Sequence, residues 1–147
     1  MAGSRHRHAA WRRFARLTAA DRWATIEMMG LIPAAAAAVR LVGLKGVSTR
    51  LERMRDVPPP DVPAVVRVGR DALSRAAHRG FYPGNCLSRS LALAWWLRRR
   101  GIVTELKLGT EILEGRLQAH AWLELQGEAL TPQGDYVEAF SLAGLQG

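Results

Sequence analysis

The chain has 147 residues, a length typical of one domain. Hydrophobic residues make up 48% of it and charged residues 23%, which excludes a wholly disordered chain. A single cysteine excludes an internal disulfide and favours a reducing, cytoplasmic location. The net charge of +8 is uneven, since residues 1–100 carry 19 Lys or Arg and 6 Asp or Glu, whereas residues 101–147 carry 2 and 7. We therefore expect two surfaces of opposite charge with different partners.

The N-terminal half reads as helices. One helix is predicted over about Ala9–Leu17, and a second opens at Thr18, whose hydroxyl can cap it. Pro33 is expected to kink or divide this second helix, because proline has no backbone N–H to donate. The apolar stretch Met28–Val39 is only 12 residues long. A bilayer-spanning helix needs about 20 residues, so we expect a buried helix and no transmembrane segment.

The next elements lie on either side of a proline run. A short helix is predicted around Val47–Arg55, and the stiff extended segment Pro58–Pro60 ends it. Asp61 is a predicted N-cap for a helix reaching to about His78. These elements divide the chain into a helical N-terminal region, residues 1–60, and a core, residues 61–147, within one compact domain.

The C-terminal half changes from helical to strand periodicity. A helix that is apolar on most of its circumference is predicted over Cys86–Arg100, and Gly101 ends it. Alternating residues then predict three strands, with a hairpin connection at Gly109–Arg116: Ile102–Leu108, Leu117–Leu125 and Glu128–Thr131. Helices followed by a small antiparallel sheet define an α+β fold.

Cys86 is a candidate nucleophile because it lies where a loop becomes a helix. The backbone N–H groups and the dipole at that end stabilise a thiolate and can hold an oxyanion. The simpler interpretation is that Cys86 is a small core residue and that Asn85 beside it is only an N-cap.

His120 is the candidate general base. In its predicted strand it lies on the face opposite the apolar residues, two positions before Trp122. A surface histidine is the alternative, but a helix cysteine followed by a strand histidine is the order found in thiol enzymes. If Gln126 and Gly127 form a two-residue turn, His120 faces Gln133 and lies diagonal to Asp135. We expect Asp135 to orient the imidazole, with Gln133 as the second choice.

The sequence gives little support for a metal, cofactor or nucleic-acid site. The remaining histidines and one cysteine do not form a zinc-binding spacing, and no glycine-rich phosphate loop is present. We therefore predict no metal and no cofactor. The five tryptophans mostly fall in apolar patterns, which favours core packing over nucleic-acid binding.

Two segments together carry a resemblance to a known family. The helix NCLSRSLALAWWLRRRG at 85–101, followed by the strand QAHAWLE at 118–124, resembles the lasso-peptide maturation proteases. These small transglutaminase-like cysteine proteases remove the leader peptide from a ribosomally made precursor. The resemblance implies a papain- or transglutaminase-like core, with Cys86, His120 and Asp135 as its triad. The chain departs from the family at Thr131 and Pro132, where many relatives carry Asn or Asp.

The resemblance also implies partners. The chain looks like a stand-alone protease that acts on the precursor's leader with a separate leader-recognition protein. It would pass its product to an ATP-dependent lasso cyclase. Two alternatives remain: a transglutaminase-like acyltransferase that uses the same site, and a non-catalytic basic module that binds nucleic acid or an anionic membrane.

Overall fold

The computed structural model describes residues 15–54, 57–132 and 137–141. In these ranges, three helices precede a four-stranded antiparallel sheet: α1 (Ala19–Glu52), α2 (Val62–Arg79), α3 (Cys86–Arg98), β1 (Glu105–Leu113), β2 (Arg116–Leu125), β3 (Glu128–Ala129) and β4 (Val137–Ser141). The predicted α+β fold is confirmed. Most of the helix predicted over Ala9–Leu17 lies outside the described residues.

Side-chain caps begin the first two helices where the sequence predicts them. The Thr18 hydroxyl accepts a hydrogen bond of 3.1 Å from the backbone N–H of Asp21. At the start of α2, the Asp61 carboxylate accepts one of 3.1 Å from the N–H of Ala64. Each cap satisfies an amide that has no partner within its own helix.

The interruption in α1 falls at Gly43 and not at Pro33. The backbone of Gly43 adopts φ 71° and ψ 169°, which separates two helical segments, whereas the helix continues through Pro33. The prediction that Pro33 divides the helix is therefore wrong. Glycine reaches positive φ without a Cβ clash, so Gly43 is the position at which the chain can change direction.

Helix α1 packs on the rest of the chain with one face only. Met28, Ile32 and Ala35 are fully buried against the other helices, whereas Trp23 and Leu41 are exposed. The buried helix predicted over Met28–Val39 is therefore buried on one side only. By length and composition alone, α1 could cross a membrane: its most apolar window has a mean hydropathy of 1.5, and 17% of that window is buried.

The central helix of the fold is α3. Its side chains are buried on most sides, and it contacts α1, α2 and the sheet. At its C-terminal end, the guanidinium of Arg98 donates hydrogen bonds of 2.7–3.1 Å to the carbonyls of Leu51, Glu52 and Met54. This side chain thereby caps the end of α1 and joins it to α3.

The strand order is β3-β2-β1-β4, and the β1–β2 hairpin is longer than the sequence suggests. The predicted connection at Gly109–Arg116 is wrong, because β1 continues to Leu113 and the turn is the pair Glu114 and Gly115. Both turn residues have positive φ, 51° and 74°, as a two-residue hairpin turn requires. The far end of this hairpin carries the exposed side chains of Ile112 and Leu117.

The turn at Gln126 and Gly127 is confirmed and sets the predicted register between β2 and β3. Both residues have positive φ, and Glu124 pairs with Ala129. Strand β3 has two residues, whereas the prediction extended it to Thr131. The N–H of Leu130 still donates to the carbonyl of Leu123 at 2.7 Å, but the N–H of Leu123 donates to the Thr131 hydroxyl, which ends the regular ladder.

Candidate active site

A cleft of about 1020 Å³ lies between α2, the first turn of α3 and the sheet. Cys86 from α3 and His120 from β2 both line it, together with the segment that follows β3. The two residues are 34 positions apart in sequence, and the packing of α3 on the sheet brings them to one cavity. The sequence predicted both as site residues, and the structure places both there.

Cys86 is the first residue of α3 and is half-buried. A reciprocal capping box holds this helix end. The Asn85 side chain accepts from the Ser88 N–H at 2.9 Å, and the Ser88 hydroxyl accepts from the Asn85 N–H at 2.9 Å. Asn85 is thus an N-cap, as the simpler interpretation of the sequence has it. The two bonds hold the backbone at the start of the helix, where Cys86 is the first residue.

His120 lies in the middle of β2 and is half-buried, opposite Gly109 of β1. Its Nε2 atom is 2.6 Å from the carbonyl oxygen of Pro132. A carbonyl can only accept, so Nε2 carries the proton, and in the neutral ring the lone pair is then on Nδ1. The contact therefore assigns Nδ1 as the basic atom of the ring.

The predicted third members of the triad, Asp135 and Gln133, lie outside the described residues. Within the described part of the chain, the carbonyl of Pro132 provides an orienting acceptor for His120. Proline occupies one of the two positions at which the chain departs from the family it resembles. A backbone acceptor cannot be recognised from residue type, because every residue carries one.

A buried hydroxyl pair joins α3 to the segment that holds Pro132. The hydroxyls of Ser90 and Thr131 are 3.1 Å apart, and Thr131 also accepts the backbone N–H of Leu123 at 2.8 Å. The Ser90 hydroxyl lies 3.4 Å from the carbonyl of Ala121, the residue after His120. This pair was not among the predicted site residues. Its one signal in the sequence is Ser90, a serine one turn after Cys86 at a helix position that the structure buries.

Trp122 packs beside the candidate base on the same strand. Its ring is nearly parallel to that of His120, at an interplanar angle of 19° and a centroid distance of 6.3 Å. Trp122 is fully buried, and its indole N–H donates to Glu124 at 2.8 Å. The face of β2 that the sequence analysis described as polar is therefore partly buried, and the indole limits the positions open to the imidazole.

Comparison with known proteins agrees with this geometry. Residues 28–142 match the family model described as the transglutaminase-like superfamily. The match covers more than half of the chain, which therefore belongs to this superfamily of cysteine proteases and acyltransferases. No curated protein and no solved structure is significantly similar to the chain.

The donor atoms around the cleft suit acid, base and thiol chemistry. Within the described ranges, no group of three or more His, Cys, Asp or Glu side chains is arranged to hold a metal ion. A thiol at a helix start and a histidine with an assigned basic nitrogen are the parts of a nucleophilic acyl-transfer site.

Proposed function

We propose that this chain is a cysteine protease that removes the leader peptide from a lasso-peptide precursor. The observation that carries the proposal is that Cys86 and His120 line one cleft, with Nε2 of His120 bonded to a carbonyl. Membership of the transglutaminase-like superfamily supports the reaction class. The sequence resemblance over 80–127 supports the substrate.

In the proposed reaction, Nδ1 of His120 accepts the proton of the Cys86 thiol, and the thiolate attacks the carbonyl carbon of the scissile bond. The imidazolium then gives this proton to the leaving amine as the C–N bond breaks, which leaves a thioester on Cys86. Water attacks the thioester, His120 takes a proton from that water and returns it to sulfur, and the new carboxyl end is released.

The start of α3 supplies the proposed oxyanion site. The amides of Ser88 and Arg89 both bond to Asn85. The N–H groups of Cys86 and Leu87 are the first two of the helix and have no acceptor within it. We propose that these two amides bind the oxyanion that forms next to the sulfur.

The proposed substrate also implies where the protein acts and which partners it has. The protease would act in the cytoplasm on a precursor whose leader is held by a separate recognition protein. The released core peptide would pass to an ATP-dependent cyclase. Asp135 is the proposed acid that completes the triad.

The experiment is intact mass spectrometry of a candidate precursor incubated with the protein, with and without the leader-recognition protein. We expect two fragments from the native chain and none from the Cys86→Ala variant. Ser48→Ala is the control, because Ser48 is in α1 and does not line the cleft. Fragments produced by Cys86→Ala would reject the thiol as nucleophile. A product in which an amine has replaced water would assign an acyltransferase instead.

A further inference from the structure

One wall of the cleft is a face of α2 that carries two arginines. Arg67 and Arg70 line the cleft and are both exposed, whereas Val66 and Leu73 turn towards the core. Residues three apart in a helix project from the same side, so the two guanidinium groups lie next to each other along this wall.

Neither arginine is neutralised by a carboxylate in the described part of the chain. Asp71 is one turn from Arg67, yet no ion pair within 4.0 Å joins it, or any other described acid, to Arg67 or Arg70. Other arginines of the fold do have partners: Arg100 bonds to Glu27 at 2.8 Å, for example. The two charges on the wall therefore remain available to a ligand.

The other charged residues in the described lining of the cleft leave it with more positive than negative groups. Asp71 and Glu128 are its acidic residues, and Arg89 is a third arginine. The Nε atom of Arg89 donates to the carbonyl of Pro83 at 2.7 Å, a neutral acceptor that leaves its charge intact. The described lining of the cleft thus carries three guanidinium groups and two carboxylates.

The dimensions of the wall suit an extended peptide. The lining residues of α2 run from Val62 to His78, which spans roughly 24 Å at the rise of an α-helix. An extended chain covers that distance with about seven residues. Arg67 lies about a third of the way along this length and Arg70 about half of the way, in the same cavity as Cys86 and His120.

We propose that Arg67 and Arg70 form a specificity subsite that binds a carboxylate side chain of the peptide substrate. The inference rests on the proposed function, since the occupant of the cleft is the peptide whose bond is cut. Planar guanidinium groups bind carboxylates through paired N–H donors, and the concave wall places them beside the bound chain. An acidic residue in the matching substrate position is therefore preferred, and a basic one is repelled.

The test uses a set of synthetic peptides that carry the sequence around the scissile bond of one precursor. In each peptide a single Glu, Gln or Lys occupies one position on either side of that bond. We expect one position at which Glu exceeds Gln in kcat/KM by about two- to fivefold, the range for exposed ion pairs, with Lys below both. The Arg70→Glu variant should abolish the preference for Glu over Lys at that position only, because the new carboxylate lies one turn from Arg67 and neutralises it. Arg67→Glu should do the same.

Arg79→Glu is the matched control, because Arg79 is exposed on the same helix and does not line the cleft. It should keep the native order of peptides. Equal rates for Glu and Lys peptides at every position, or an order that Arg70→Glu leaves unchanged, would overturn the subsite.

Binding to the Cys86→Ala variant separates this inference from the proposed function. Fluorescence anisotropy with the same labelled peptides reports charge selection without cleavage. If the native chain cuts no peptide but Cys86→Ala still binds the Glu peptide more tightly than the Lys peptide, the protease proposal fails and the subsite stands. If peptides are cut without regard to charge, the subsite fails and the protease proposal stands.

Discussion

Thr131 provides the sharpest test of how the site is held together. Its side chain is buried, accepts the N–H of Leu123 at 2.8 Å and contacts the Ser90 hydroxyl at 3.1 Å. Valine has nearly the same shape as threonine, so Thr131→Val removes the hydroxyl without opening a cavity. The substitution leaves the amide of Leu123, a fully buried residue, without its acceptor.

The expected loss of stability follows from that amide. A buried donor left without a partner costs about 1–3 kcal/mol, and the Ser90 hydroxyl retains only the longer contact to Ala121. For a chain of this size the melting temperature should fall by roughly 2–4 °C per kcal/mol. Activity should fall as well, because Thr131 directly precedes Pro132, the acceptor for His120.

Urea denaturation measures the stability term, and kcat/KM on a cleaved peptide, taken well below the melting temperature, measures the effect on the site. Thr110→Val is the control, since Thr110 is an exposed strand residue and should change the unfolding free energy by less than about 0.5 kcal/mol. If Thr131→Val is no more destabilising than Thr110→Val, the hydroxyl does not hold the segment after β3. If stability falls and kcat/KM is unchanged, the contacts of the Thr131 hydroxyl do not position His120.

Two further substitutions test the first turn of α3 and the cluster at its far end. Gly84 has φ 69°, and a Cβ there would lie 2.5 Å from the hydroxyl of Ser88, so Gly84→Ala should cost about 2–3 kcal/mol and lower kcat/KM by disturbing the capping box. Gly30→Ala, at a position where a Cβ meets nothing within 4 Å, should be neutral or stabilising in the same thermal melt, and equal effects of the two would contradict the steric argument. Glu27 is half-buried and accepts the indole N–H of Trp96 at 2.7 Å, so Glu27→Ala should destabilise the chain by about 1–3 kcal/mol in urea. Glu27→Gln keeps an acceptor and should lose less; an equal loss would assign the effect to charge.

Local signals explain which parts of the fold could be predicted. The caps at Thr18, Asp61 and Asn85 depend on residue types that bond to amides two or three positions ahead, so short sequence windows contain the information. The turn at Gln126 and Gly127 sets its own register for the same reason. The break at Gly43 could not be predicted this way, because Pro33 carries the stronger local signal and the same helix contains two further glycines, Gly30 and Gly46, at which it does not break.

In the candidate site, too, local signals could be predicted and tertiary contacts could not. Cys86 and His120 have side chains whose chemistry is visible in the sequence, and each lies in a recognisable helix or strand. Pro132 and Thr131 act through a carbonyl and a buried hydroxyl, and their roles depend on tertiary contacts with β2 and with Ser90 of α3. Trp122 is buried by tertiary packing that strand alternation does not report.

The short length of β3 has a consequence for how the molecule behaves in concentrated solution. In the described part of the sheet, β3 pairs only with Glu124 and Leu125 and stops well short of the hairpin turn at the other end of β2. Exposed Leu117 lies at that end, and exposed Ile112 is its cross-strand neighbour. Exposed aliphatic side chains at the end of a strand pair favour pairing with another chain. We therefore expect self-association to begin at the tip of the β1–β2 hairpin, and the charge of Arg116 beside it opposes that growth.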